Sequence, residues 1–142
     1  MRLYLLWKLP SAWFMGIRVR SCDLEKALVE LPYGWRSQNP FRSTYFAAQC
    51  AAGELSTGIL ALAHLHDKPP ISMLVTHIEA DFLKKASETL TFTCSNGLDF
   101  ANTIQKALDT GEPQTFQAQS IATLPDGLEA ARVRITWSFR IK

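Results

Sequence analysis

The sequence is poor in the residues that announce a metal, a nucleic acid or a membrane. Only Cys22, Cys50 and Cys94 are cysteines, an odd number without a Cys-x-x-Cys pair. Neither a disulfide framework nor a zinc site is indicated, and a reducing cytoplasm is the expected setting. Histidine is as scarce. His64 and His66 stand two apart, on different sides of a helix, and His77 shares its strand face with Glu79 and Asp81, an outward polar surface rather than a ligand set. No metal is expected. Charge is thin as well: 20% of the 142 residues are charged, 15 Lys and Arg stand against 13 Asp and Glu, and the net +2 gathers into no basic stripe. Nucleic acid is therefore disfavoured as a partner. Near the N-terminus, Leu3–Trp7 and Trp13–Met15 are apolar but broken by Lys8 and Pro10, well short of the ~20 residues of a membrane span. No small-x-small cleavage pattern follows them, and the segment lacks the basic polar face of a surface-bound helix. Residues 1–15 are expected to form a short helical segment packed on the domain or on a partner subunit.

What the sequence does have is apolar patterning. With 47% hydrophobic residues and no repeat, linker or low-complexity stretch, residues 1–142 read as one domain with a substantial core. Alternation predicts strands over Gly16–Asp23 and Ala27–Trp35, the second weakened by Pro32. A long apolar helix follows, with Pro40 near its start, Ser43 or Thr44 as cap, and an end about His64, ahead of Asp67-Lys68-Pro69-Pro70. Ser72–Phe82 alternates with Leu74, Ile78, Ala80 and Phe82 on one face and Met73, Val75, His77, Glu79 and Asp81 on the other. Glu88–Asn96 is a further strand with Leu90, Phe92 and Cys94 inward. A second helix over Leu98–Leu108 is closed by Gly111. Gln114–Thr123 and Leu128–Ile141 form a hairpin about Pro125-Asp126-Gly127, with Val133, Ile135, Trp137, Phe139 and Ile141 inward.

Within the long helix one residue stands apart. From Tyr45 to Leu65, among small and apolar neighbours such as Ala47, Ala48, Ala51, Ala52 and Gly53, Glu54 is the single Asp, Glu, Lys or Arg. A carboxylate in such a run is either a satisfied buried acid or a functional one with a raised pKa. Cys50, close by, reads as a small core residue.

Two strands, one long apolar helix and a run of antiparallel strands imply an α+β fold with a curved sheet around a central helix. On Asn39 to Gly58 and Val75 to Ala86 the chain resembles hotdog-fold thioesterase-like proteins. It looks most like the stand-alone members of that group, which are similar to the phenylacetate-degradation type of acyl-CoA thioesterase. The resemblance implies a roughly six-stranded antiparallel sheet wrapped on the long helix, with a short N-terminal helix and a second helix besides. In that family an Asn precedes the helix, His-Gly-Gly opens it, and an acid lies fifteen positions after the Asn. Asn39 and Glu54 keep that spacing, whereas Tyr45-Phe46-Ala47 replaces His-Gly-Gly.

The activity so implied is hydrolysis of an acyl-CoA or acyl-carrier thioester. Glu54 would be base or nucleophile, amides at Tyr45 and Phe46 would hold the carbonyl oxygen, and Asn39 would position water or the thioester. Ser56 and Thr57 would orient the acid and touch substrate. Arg42, Lys84 and Lys85, with Arg36, would meet the phosphates of coenzyme A, which enters as part of the substrate rather than as a cofactor. The resemblance also implies a homodimer, or a tetramer stacked from it, paired through the strand after the long helix. Two other readings stay open: a non-catalytic hotdog module that binds an acyl chain or similar ligand, and a dehydratase, which lacks its histidine at position 45. Read from the residues alone, Asn39 is the starter of an Asn-Pro turn, and the cations are an ordinary surface.

Overall fold

A computed structural model describes residues 2–142. Two short helices, α1 (Arg2–Lys8) and α2 (Pro10–Phe14), lead into β1 (Arg18–Cys22) and β2 (Ala27–Leu31); then come α3 (Phe46–Leu65), β3 (Ile71–Phe82), β4 (Leu90–Cys94), α4 (Gly97–Thr110), β5 (Gln114–Thr123) and β6 (Glu129–Ile141). The N-terminal segment is thus two helices rather than one, because Pro10 opens a new helix after Leu9 leaves helical geometry. β2 stops at Leu31 instead of Trp35, since Pro32 has no N–H to give the ladder.

All six strands join one antiparallel sheet in the order β1-β2-β4-β5-β6-β3. Its inner face receives α3, which lies on β2, β4, β5 and β6 as the axis of the domain. By length and composition α3 is apolar enough to cross a membrane, with a mean hydropathy of 1.3. Its place against the sheet accounts for that composition. Close approach comes from small residues: a Cβ on Gly53 would stand 2.8 Å from Cβ of Val133, and one on Gly58 3.2 Å from the Trp137 ring. Helix α4 covers the far end, where Phe100 sets its ring edge-on to Phe116 and Phe139 at 5.3 and 6.1 Å.

Two pairs of polar groups meet inside this layer. Ser56 Oγ donates to Ser120 Oγ at 2.7 Å, and the Trp137 indole N–H donates to Thr57 Oγ1 at 2.9 Å, both wholly within the core. Replacing Thr57 with Val should therefore strand a buried indole N–H. A loss of about 1–3 kcal/mol is expected, read as a lower urea midpoint at an unchanged m value.

The expected hairpin between β5 and β6 is present, with Gly127 at φ 86° and Asp126 accepting from the Leu128 amide. Gly111 ends α4 in the left-handed conformation, as expected. The alternation expected along β3 is broken. The register against β6 skips a residue between Val75 and His77, so a bulge at Thr76 resets the parity. Opposite the inward Phe139 and Trp137 stand Met73 and Val75, and opposite the inward Ile135 and Val133 stand Ile78 and Ala80. Met73 and Val75 thus join the inner side, Leu74 turns outward, and the whole strand lies at the edge of the sheet.

Candidate active site

The site grows from the start of α3. Neither Ser43 nor Thr44 caps that helix. Tyr45 holds the cap position without a side-chain hydrogen bond, because both hydroxyls are engaged elsewhere: Ser43 with Asn39, and Thr44 with the carbonyl of Ala86. The Tyr45 amide donates to the Ser37 carbonyl at 2.7 Å, so it cannot also hold a substrate oxygen. Among the described residues the amides of Phe46, Ala47 and Ala48 have no acceptor. Three N–H groups at the positive end of a 20-residue helix are thereby free to receive negative charge.

Asn39 shapes the approach to this end. Its side-chain oxygen accepts from the amides of Phe41 and Ser43 and from Ser43 Oγ at 2.9–3.2 Å, fixing a tight loop in which Arg42 takes a φ of 56°. A cleft of about 350 Å³ opens beside the loop, lined by Asn39, Phe46, Gln49, Phe82, Lys84 and Lys85 among others. Sequence reasoning passed over Gln49 because it is uncharged. Gln49 is nearly buried, its amide donates to the Thr44 carbonyl at 3.2 Å, and its Oε1 has no partner among the described residues. An uncharged amide inside an apolar helix was the available signal. Phe82 was missed as a site residue too; it meets Phe46 edge-on at 6.2 Å, and Phe46 meets Tyr45 at 5.0 Å.

Glu54 lies farther along α3, outside that cleft. It is half-buried, and burial raises its carboxyl pKa above the ordinary range. Its Oε1 leans over the next turn, so near Gly58 that a Cβ there would stand 3.5 Å from it, with the Trp137 ring on the other side of the same glycine. No hydrogen-bond donor reaches the carboxylate among the described residues. The expectation that Ser56 and Thr57 orient it, or meet substrate, is corrected. Ser56 is turned by about 200° around the helix from Glu54 and faces Ser120; Thr57 bonds the Glu54 main-chain carbonyl and Trp137. Both are completely buried.

The structure brings Asn39, Phe46, Lys84 and Lys85 together and leaves Arg42 exposed and off the cleft wall. Arg36 lies against Gly16 instead. His64 bonds the Leu24 carbonyl at 2.9 Å, and His77 sits on the outward face, near the pair that Arg134 makes with Glu79 and Asp81. No group of three or more His, Cys, Asp or Glu side chains among the described residues is placed to hold a metal.

The sequence matches the domain of unknown function DUF4442 over residues 2–139. The chain belongs to that family. Among curated proteins no match is found. Solved structures resemble this DUF4442 chain closely in shape and distantly in sequence. PA5026 from Pseudomonas aeruginosa, described as a protein of unknown function and probable thioesterase, superposes with a TM-score of 0.84 at 16% identity, covering 98% of this chain and 92% of its own. A protein of unknown function from Chlorobaculum tepidum gives 0.83 at 12%, over 99% and 92%. The thioesterase HI1161 from Haemophilus influenzae gives 0.73 at 15%, over 96% and 87%. The DUF4442 chain therefore has the hotdog fold, its long helix held by one six-stranded antiparallel sheet.

Proposed function

We propose that the protein hydrolyses an acyl thioester, of coenzyme A or of a carrier, in a site shared by two copies of the chain. The observation that carries this reading is Glu54: a solitary carboxylate, half-buried against Gly58 and Trp137, with its pKa raised by burial. Burial makes such an acid a stronger base than an ordinary carboxylate, suited to take a proton from the attacking water or to attack the thioester carbon itself.

Geometry supplies the reason for two copies. Phe46 and Glu54 are eight residues apart on one helix, about 12 Å at the rise of an α-helix. One thioester carbonyl cannot receive N–H groups at one end of that span and attack from the other. A second chain, its helix running the opposite way, would bring the Phe46 and Ala47 amides of one copy to the Glu54 of the other. The edge position of β3 and the exposed apolar side chains of Phe46, Ile78 and Phe82 favour such pairing. In the reaction the thioester oxygen would lie on those free amides while Glu54 takes the proton of the attacking water. The tetrahedral intermediate then expels the thiolate, which takes the proton back from Glu54 to leave as the thiol, and the carboxylic acid departs with the carboxylate of Glu54 restored. Lys84 and Lys85 would face the phosphates of the carrier, and Asn39 would hold the loop that admits it. The thioesterase named among the structural neighbours agrees with this chemistry.

The test is release of free thiol from short, medium, long and aromatic acyl-CoAs. Wild type should turn over at least one class. Saturable binding without any turnover would instead establish the second reading, an acyl-binding module. The shared site has its own test. Phe46→Pro deletes one free amide at a position where proline fits, because Tyr45 before it is already extended; Phe46→Ala keeps that amide and serves as control. Mixing and reannealing Phe46→Pro with Glu54→Gln should restore about a quarter of wild-type activity, since half of the dimers are mixed and each holds one intact site. No recovery would mean that each chain works alone.

A further inference from the structure

The outward side of the N-terminal helices is apolar where a surface helix ordinarily carries charge. Leu5 and Ala12 are buried in the core, while Trp7 is 81% exposed and Leu6, Leu9, Trp13 and Phe14 are each more than a third exposed. The loop after β2 extends the same face. Trp35, 78% exposed, sets its ring edge-on to Phe14 at 6.2 Å. A hollow of about 230 Å³ lies between Met15 and residues 32–37. The Arg36 guanidinium runs along Gly16, 3.1 Å from where a Cβ would be.

Charge on this face has a single sign. The two segments that build it, residues 5–17 and 32–37, have basic residues at positions 8 and 36 and no Asp or Glu. Neither Lys8 nor Arg36 joins an ion pair among the described residues. Read along the sequence, the N-terminal helices lack a basic side. The fold supplies it by laying the Arg36 loop next to α2.

Indole and phenyl rings interleaved with unpaired cations match the boundary between water and a bilayer. Amphipathic rings settle at headgroup depth, and guanidinium and ammonium groups pair with lipid phosphate. A second copy of the chain fits less well, because a symmetric contact would press these cations against their own equivalents. We propose that this face docks on an anionic phospholipid surface. The inference is independent of the chemistry assigned to Glu54.

Cosedimentation of the full chain with vesicles tests it. Binding is expected to phosphatidylglycerol-containing vesicles and not to pure phosphatidylcholine, and it should fall as salt is raised. The double variant Trp7→Ser/Trp35→Ser alters two exposed side chains and should weaken partitioning about tenfold or more. Should that variant fold poorly, brominated lipid gives a reading on wild type, where quenching of tryptophan fluorescence is expected. Equal affinity for neutral and anionic vesicles, binding without quenching, or undiminished binding by the double variant overturns the proposal. So does a lipid-free drop in oligomer size on light scattering of that variant, which would make the face a contact between copies.

Discussion

Glu54→Gln is expected to lower thioester turnover by about 10³-fold with the fold intact. Glutamine keeps the shape and fills the same space beside Gly58 and Trp137, but it can neither accept the proton of water nor attack as an anion. The pH behaviour distinguishes this from a structural role. Burial raises the Glu54 pKa, so the acid limb of the wild-type rate profile should lie above the range of an ordinary carboxylate, with activity rising as the anion forms. Stability moves the other way. A group whose folded pKa is raised favours the fold below its unfolded pKa and loses that contribution as pH rises through the folded value. Above that window the buried anion is a liability, and Glu54→Gln should melt no lower than wild type at neutral pH. An inactive variant that also melted well below wild type would mean that the carboxylate holds the structure together.

The largest expected effect on stability is at Gly97. It is the first residue of α4, its amide donates to the Glu25 carbonyl at 3.1 Å, and a Cβ there would overlap the Leu24 carbonyl oxygen and crowd the Glu25 backbone. Backbone, unlike a long side chain, cannot swing aside. Gly97→Ala should force the β1–β2 turn away from α4 at a cost of about 3 kcal/mol, above the usual range for a small overpacked site. Thermal melting should then fall by about 10 °C. Gly127→Ala is the contrast: its Cβ meets nothing, and only the positive φ opposes it, so a smaller loss of about 1 kcal/mol is expected.

Much of the architecture was legible because it rests on periods that one sequence shows. The β5–β6 hairpin follows from alternation about Pro-Asp-Gly, and α4 from its apolar stripe and Gly111. What escaped depends on partners distant in the chain. The Thr76 bulge is invisible in β3 itself, since both parities carry apolar residues; only the register against β6 decides which turn inward. Ser43 and Thr44 are good caps in isolation, yet Asn39 and Ala86 recruit their hydroxyls first. At the site, Glu54 was legible as a charge out of place. Ser56 and Thr57 were misplaced because neighbours in sequence are not neighbours on a helix, and the free amides of Phe46 to Ala48 could be located only once Tyr45 was seen to bond Ser37.

The irregular edge of β3 also bears on which chains can add to the sheet. A regular strand from an unrelated protein would fall out of phase at Thr76 and could zip along only part of the 12-residue border. That kink filters against indiscriminate strand addition, so an open margin need not become a seed for fibrils.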